Sequence, residues 1–350
     1  MTINYIRSIK YKEAEDNVKA IYDELKSDLG GVFKNISLHA LNPVLLKGCW
    51  EILREVILVE GRLSRLHKEA ISTAVSKANE CGFCIDGHTI MIAGLKDHRS
   101  VKAILNNRPD LIKDLKLQNL IDWSYKSQQF NDQGSMLNLV KKHELPEAIG
   151  SVVFCHYMNR LASTFMCSRI LPFKKEFLNR PVRAIAARVM RPTLKKELKS
   201  KVFLTETYRV HQKKLLWAAS NEQINYVFSK YCYVLNIICN HYVPSDIKAF
   251  IKQEIKNWDG KEKGYSDELF ENIASHHRIL AKVMYLQAFA PAKINPGQLI
   301  ELKKYFNNND EAILTSLAWV SFETALGIGS QLYGVLNHKL LLEESENIFF

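Results

Sequence analysis

Apolar residues recur at helical spacing along almost the whole of this 350-residue chain. Residues 14–30 show the pattern. Four apolar side chains lie on one face of a predicted helix, which ends at a glycine pair: Val18, Ile21, Tyr22 and Leu25. The same helical spacing recurs in three further segments, residues 42–61, 64–80 and 145–166. The third has proline in its first helical turn. We see no succession of alternating strand patterns between these segments. The sequence therefore predicts an all-α fold.

The composition is that of a soluble globular protein, with 47% hydrophobic and 24% charged residues. We find no uncharged apolar run near the roughly 18 residues that a membrane-spanning helix needs, and charges stand where a signal peptide would be apolar. We therefore expect a cytoplasmic protein without a membrane span. A disulfide framework is then not expected among its seven cysteines, and a C-x-x-C pair indicates catalysis or metal binding.

The net charge of +11 is concentrated in one segment. Residues 174–214 hold thirteen Lys or Arg against three Glu, a net charge of +10. We interpret this segment as a solvated pair of basic helices between two domains. Contact with nucleic acid, an anionic membrane or an anionic partner protein is the alternative, although no nucleic-acid recognition motif accompanies the charge.

Two predicted helices resemble each other and suggest an internal duplication. Residues 147–166 and 311–330 both begin Glu-Ala-Ile, share an apolar rhythm and lie 164 residues apart, close to half of the chain. We therefore predict two helical domains, residues 1–172 and residues 173–350. The C-x-x-C pair lies in the first domain. The second domain, which starts with the basic segment, is predicted to be a degenerate copy without the chemistry.

The cysteine pair lies in the segment ECGFCIDGH. Turn-prone residues interrupt one helical pattern and a second resumes after them, which places Cys81 and Cys84 at a helix N-terminus. Free N–H groups and the helix dipole favour negative charge there, so we expect lowered pKa values for both thiols. His88 lies one turn after Cys84 on the same face, where it can accept the thiol proton.

Glu69 lies on the preceding helix, twelve residues before Cys81. If the two helices pack antiparallel across the turn, a rise of about 1.5 Å per residue places Glu69 about one helical turn further from the reversal than His88. A glutamate side chain and one water can span that offset. We predict a relay in which Glu69 orients the imidazole of His88, and His88 activates Cys84.

Four positions together resemble the signature of the AhpD-like alkylhydroperoxidase group within the carboxymuconolactone decarboxylase superfamily: Glu69, Cys81, Cys84 and His88. The resemblance covers about residues 10–170, and the second half resembles a degenerate copy. It implies an AhpD-like multihelical bundle, homo-oligomeric assembly, and thiol-dependent reduction of peroxides or disulfides. It also implies a disulfide cycle against a cellular dithiol of thioredoxin or lipoyl type, without metal, flavin or haem.

The resemblance also implies roles for the site residues. Cys84 would react with the peroxide and Cys81 would resolve the product, whereas position at the helix end alone favours Cys81 as the reactive thiol. Glu69 and His88 would form the proton relay. The attacked sulfur becomes a sulfenic acid, and the second thiol condenses with it to a disulfide. An external dithiol then restores the pair.

Other functions fit the same residues. Cys81 and Cys84 could be buried structural thiols, or they could join His88 and a fourth ligand in a zinc site. A redox-sensing scaffold protein that binds an anionic partner through the basic segment is a second class of function. A lactone decarboxylase-like enzyme is a third, but members of the superfamily with that activity generally lack the C-x-x-C pair.

A later helical segment, FCHYMNR, contains Cys155, which we interpret as a core residue. His156, Asn159 and Arg160 are candidates for the lining of the pocket or for an interface. The remaining cysteines and three tryptophans of the second half are interpreted as core residues: Cys49, Cys167, Cys232, Cys239, Trp217, Trp258 and Trp319.

Overall fold

The structure, a computed structural model, describes residues 3–130, 140–173, 175–202 and 214–346, the last ten of these by their backbone only. Fourteen α-helices are joined by short 3-10 turns and one π-helical turn (Arg54–Leu58) in these residues, and β geometry is limited to one isolated bridge. The prediction of an all-α fold is confirmed.

Eight of the described helices lie before residue 172: α1 (Asp16–Leu29), α2 (Lys34–Ser37), α3 (Pro43–Leu53), α4 (Arg65–Ala78), α5 (Gly82–Gly94), α6 (His98–Leu105), α7 (Leu115–Tyr125) and α8 (Leu145–Phe165). Six follow it: α9 (Glu176–Leu194), α10 (Glu222–Cys239), α11 (Ser245–Lys256), α12 (Arg278–Phe289), α13 (Pro296–Tyr305) and α14 (Asp310–Glu346).

Local residues determine where several helices begin and end. Asn42 caps α3 by accepting a hydrogen bond of 3.0 Å from the N–H group of Val44, and Ser64 caps α4 in the same way at His67. Gly30 follows α1 in the left-handed region at φ +88°, which glycine adopts without strain.

Helices α8 and α14, which share the Glu-Ala-Ile motif, pack against each other at the centre of the bundle. Almost every residue of α8 is buried. One hydrophobic core contains side chains from Ile6 to Leu336 and therefore includes residues on both sides of position 172. The division into domains 1–172 and 173–350 stays a prediction.

Helix α14 also corrects the expectation that no segment is apolar enough to cross a membrane. By length and composition, residues Asp310–Leu336 could cross a membrane. However, 89% of the most apolar 18-residue stretch within them is buried inside the protein. A helix surrounded by other helices carries apolar residues on all its faces. The central position of α14 therefore accounts for its composition.

The core assignments of the remaining cysteines and tryptophans hold in part. Cys49, Cys239 and all three tryptophans are buried. Cys167 and Cys232 are only partly buried, and pack against the core from its margin.

Helix α9 packs against α5 and exposes its opposite side. Ile185 and Val189 are 68% and 71% exposed on that side, and Arg180 and Arg188 are exposed as well. Of the predicted pair of basic helices, α9 is described, whereas residues 203–213 lie outside the described residues.

Gly48 of α3 marks a contact between the two halves of the chain. A Cβ atom at this position would overlap the ring of Tyr231 on α10.

We expect Gly48→Ala to lower the free energy of unfolding by about 1–3 kcal/mol, measured by urea denaturation. Gly334→Ala is the matched control, because a Cβ atom there meets no atom within 4 Å. It should leave stability unchanged or raise it by up to about 1 kcal/mol, and an equal loss in both variants would contradict the contact.

Candidate active site

The turn between α4 and α5 brings the predicted site residues together. α4 ends at Ala78 and α5 begins at Gly82, so the predicted reversal is confirmed. Cys81 directly precedes α5, and Cys84 lies in its first turn. A Cβ atom at position 82 would lie 2.5 Å from the backbone oxygen of Ser168, so glycine is required for this close approach.

The two sulfur atoms of the C-x-x-C pair are adjacent. Cys81 Sγ donates a hydrogen bond of 2.6 Å to Cys84 Sγ, and both residues are free thiols. Both are buried, with 4% and 5% of their surface exposed. Each sulfur is therefore within reach of the other for disulfide formation, and the protein matrix shields both from bulk solvent.

Glu69 and His88 form a direct ion pair between the two helices. Glu69 Oε2 lies 2.7 Å from His88 Nδ1, and Glu69 Oε1 accepts a hydrogen bond of 2.7 Å from Arg65 Nε. Glu69 is 1% exposed, so its carboxylate lies inside the protein. The water expected between Glu69 and His88 is not needed, because the glutamate side chain spans the offset between the helices by itself.

The groups around His88 favour its protonated form. Burial by itself lowers the pKa of His88, but hydrogen bonds to Cys155 and Glu69, with their charges, outweigh burial and raise the pKa to about 10. Burial likewise acts to raise the pKa of Glu69, but the neighbouring Arg65 and His88 outweigh it and lower that pKa. At neutral pH the site therefore holds an imidazolium between a carboxylate and a sulfur.

The pKa of Cys84 is raised well above its ordinary value, first because the thiol is buried and then because it hydrogen-bonds Cys81. For Cys84 this corrects the expectation of a lowered pKa at a helix N-terminus. Transfer of a thiolate from water into a largely apolar site costs more free energy than the helix end returns.

A cavity of about 90 Å³ borders both Cys84 and His88. Several apolar side chains form its walls: Phe33, Leu53, Ile57, Met91 and Phe154. The side chain of His88 is 25% exposed, so the imidazole reaches solvent at this point. A small molecule that enters beside the imidazole would meet the Cys84 sulfur within the same cavity.

Cys155 of α8 borders the same cavity. It is buried, at 2% exposure, and packs in the hydrophobic core as predicted. In addition, it lines the cavity together with Cys84 and His88, and it is one of the neighbours that raise the pKa of His88. Sequence spacing gives no sign of this contact, because α8 lies far from the C-x-x-C pair along the chain.

The other three candidates on α8 have different positions. Asn159 lines the cavity. His156 Nδ1 lies 3.0 Å from the amide nitrogen of Asn79 in the turn between α4 and α5, and Arg160 Nε donates to a backbone oxygen of α12 at 3.1 Å. Burial, and then the charge of Arg160, lowers the pKa of His156 well below its ordinary value. His156 is therefore a neutral buried side chain that braces the turn.

Asp86 holds the segment after α8 against α5. Its carboxylate is fully buried and accepts hydrogen bonds of 2.7 and 3.2 Å from the guanidinium of Arg169. It also accepts from the N–H groups of Ile170 and Leu171, at 3.0 and 2.9 Å. Because Ile170 lines the cavity, Asp86 fixes one wall of the site.

The structure gives no support to the zinc alternative. Within the described part of the chain, no group of three or more His, Cys, Asp or Glu side chains is placed to hold a metal ion. The nitrogen of His88 that faces Glu69 is engaged by the carboxylate at 2.7 Å.

Comparison with known proteins gives a distant match of nearly full length. The alkyl hydroperoxide reductase Rv2159c of Mycobacterium tuberculosis is 21% identical to this chain over 335 residues, which cover 94% of both proteins. No model of a protein family matches the chain. The match spans both halves, so the similarity includes the half without a C-x-x-C pair. It supports an AhpD-like family and a peroxidase-like function at the level of that family.

The raised pKa of His88 predicts a pH-dependent contribution to stability. The pKa of an unfolded histidine is about 6.5, so the ion pair with Glu69 stabilises fully below that pH, and its effect is lost as pH rises through about 10. Glu69→Gln removes the carboxylate. In urea denaturation, the stability difference between wild type and this variant should shrink as pH approaches and passes about 10.

Asp114→Asn provides the control for this titration. The carboxylate of Asp114 is exposed and lies 3.8 Å from the imidazole of His67, which is on the same helix as Glu69. Its removal should cause a small loss of stability without the alkaline trend. A difference between wild type and Glu69→Gln that stays constant across the alkaline range would contradict the charged pair.

Proposed function

We propose that this protein reduces hydroperoxides with the dithiol of Cys81 and Cys84, and that an external dithiol restores it. The observation that carries the proposal is a cavity bordered by Cys84 and by the charged pair of Glu69 and His88. The similarity to an alkyl hydroperoxide reductase supports the same class of reaction. The largely apolar walls favour a peroxide with a compact alkyl group.

Cys84 is the proposed site of attack because it lines the cavity. Its sulfur attacks the O–O bond and becomes a sulfenic acid. As the bond breaks, the His88 imidazolium donates its proton to the departing alkoxide, and the proton that the Cys84 thiol loses in the same step passes to the imidazole, so an alcohol leaves and the ring ends protonated. Glu69 holds the ring in place through Nδ1.

Cys81 is the proposed resolving thiol, since its sulfur lies 2.6 Å from that of Cys84. It condenses with the sulfenic acid, a disulfide forms and water leaves. Exchange with an external dithiol, of thioredoxin or lipoyl type, regenerates both thiols. The two electrons thus pass from the external dithiol to the peroxide, which becomes an alcohol and water. Homo-oligomeric assembly is part of the proposal on the ground of the family resemblance.

Replacement of Cys84 is expected to have the largest effect on turnover. Cys84→Ser should slow the consumption of cumene hydroperoxide, with dithiothreitol as reductant, by about 100-fold or more, because the attacked sulfur is lost. Cys81→Ser should cause a smaller loss, since other thiols can still reduce the sulfenic acid. Cys167→Ser is the control, because this cysteine is only partly buried. Full activity in both Cys84→Ser and Cys81→Ser would refute the proposal.

A second candidate function, binding of an anionic partner, is favoured by the exposed side of α9. Ile185 and Val189 expose apolar surface there, and Arg188 adds positive charge. Arg180 is also exposed, at the margin where α9 meets α5 and α6. Apolar and cationic side chains on one helix suit an anionic bilayer surface. This binding is compatible with the redox reaction, because the exposed side of α9 faces away from α5.

Vesicle sedimentation tests this second candidate. The protein should sediment with phosphatidylserine vesicles at low salt and be released at high salt, since the attraction is electrostatic. Arg180→Glu combined with Arg188→Glu should abolish sedimentation. The control is Lys10→Glu combined with Lys12→Glu, which makes the same change of charge at two exposed lysines elsewhere. Absence of sedimentation at any salt concentration would exclude this lipid as the partner.

A further inference from the structure

Two of the seven cysteines border the cavity, and a third is in contact with one of them. Cys84 and Cys155 line the cavity from α5 and α8, and the sulfur of Cys81 lies 2.6 Å from that of Cys84. The two-thiol cycle gives Cys155 no role, although its sulfur borders the space in which Cys84 would be oxidised.

The pair of Glu69 and His88 borders the same cavity as Cys155. Glu69 Oε2 holds Nδ1 of His88 at 2.7 Å, and the side chains of His88 and Cys155 both line the cavity. A carboxylate that orients an imidazole near a reacting thiol is the arrangement found in activated nucleophiles. A thiolate is the form that attacks disulfides and sulfenic acids, and it also leaves readily.

Cys49 shows how an ordinary core cysteine of this protein differs. It is fully buried, its sulfur contacts that of Met158 at 3.8 Å, and burial alone raises its pKa. Cys155 is almost equally buried, but it faces a charged ring and an accessible cavity. The difference lies in the surroundings of the two thiols and not in their depth.

We propose that Cys155 is a third redox thiol, which forms a disulfide with Cys84 during peroxide reduction and then passes the oxidised state to Cys81. This inference rests on the proposed function, because the peroxide is the oxidant. Cys84 and a hydroperoxide first give the sulfenic acid and an alcohol. The Cys155 thiolate attacks the Cys84 sulfur, the S–O bond breaks, and the departing hydroxide takes a proton from His88 to leave as water.

Cys81 completes the sequence by thiol–disulfide exchange. Its sulfur attacks Cys84, and the bond between Cys84 and Cys155 breaks. The proton lost by Cys81 returns to His88, so Cys155 leaves as a thiolate beside an imidazolium. The products are the disulfide of the C-x-x-C pair and a reduced Cys155. The net reaction is unchanged, and a thiol already in the cavity shortens the lifetime of the sulfenic acid and limits its further oxidation.

The test uses Cys81→Ser, which leaves Cys155 as the partner for Cys84. The reduced full-length variant is treated with one equivalent of hydrogen peroxide, digested without reductant and analysed by mass spectrometry. A peptide pair linked through Cys84 and Cys155 is expected. Dimedone labelling of the Cys84 sulfenic acid should be about tenfold lower than in Cys81→Ser combined with Cys155→Ser. Cys81→Ser combined with Cys49→Ala is the matched control and should behave like Cys81→Ser.

A further variant separates chemistry from packing. His88→Gln in the Cys81→Ser background should lower the yield of the linkage relative to dimedone-labelled Cys84 by about tenfold or more, because no imidazolium protonates the departing hydroxide. This ratio does not depend on the part that His88 plays in forming the sulfenic acid. Circular dichroism and the thermal midpoint show whether each variant is folded. A Cys155 that serves only to fill the core would not respond to this change at position 88.

The two proposals fail in different ways. Dimedone labelling of Cys84 in Cys81→Ser, without any linkage to Cys155, overturns the inference and leaves the proposed function intact. A wild-type protein that consumes no peroxide, with Cys84 unlabelled in every variant, overturns the proposed function and the inference together. The linkage in Cys81→Ser, with a ratio of linked to dimedone-labelled Cys84 that falls in His88→Gln, supports both.

Discussion

A buried carboxylate that faces a partly exposed imidazolium is the interaction on which the site depends. An isolated charge inside a protein costs several kcal/mol or more, yet Glu69 is 1% exposed. The charge is tolerated because each carboxylate oxygen has a cationic partner, Arg65 on one side and His88 on the other. This arrangement fixes the spacing of α4 and α5, orients the imidazole ring and keeps it protonated. The proton chemistry proposed for the thiols follows from that charge.

The cavity also depends on helices beyond the turn. α8 contributes Cys155 and Asn159 to its lining, and α14 packs against α8 from the second half. α10 packs against α3, and α3 forms another part of the cavity wall. The half without a C-x-x-C pair thus supports the helices that shape the site, which agrees with a similarity to a hydroperoxide reductase that spans both halves.

Sequence reasoning predicts the local features of the site well. Helical spacing predicts the bundle, and the interval from Glu69 to His88 predicts that the two side chains approach each other across the turn. The expected bridging water is replaced by a direct contact of 2.7 Å. It does not predict the place of Cys155 beside His88, because that contact depends on how α8 packs against α4 and α5. The raised pKa of Cys84 is missed for a related reason, since burial is a property of the whole fold. Domain boundaries and oligomeric assembly stay predictions.

Asp86 connects the interior of the site to the surface of the protein. Its buried carboxylate binds residues 169–171, which precede α9 in the chain, and it lies on α5 between Cys84 and His88. α9 in turn packs along α5 and exposes its far side. One buried carboxylate on α5, placed between the sulfur and the imidazole, thus anchors the chain segment that precedes the exposed basic helix.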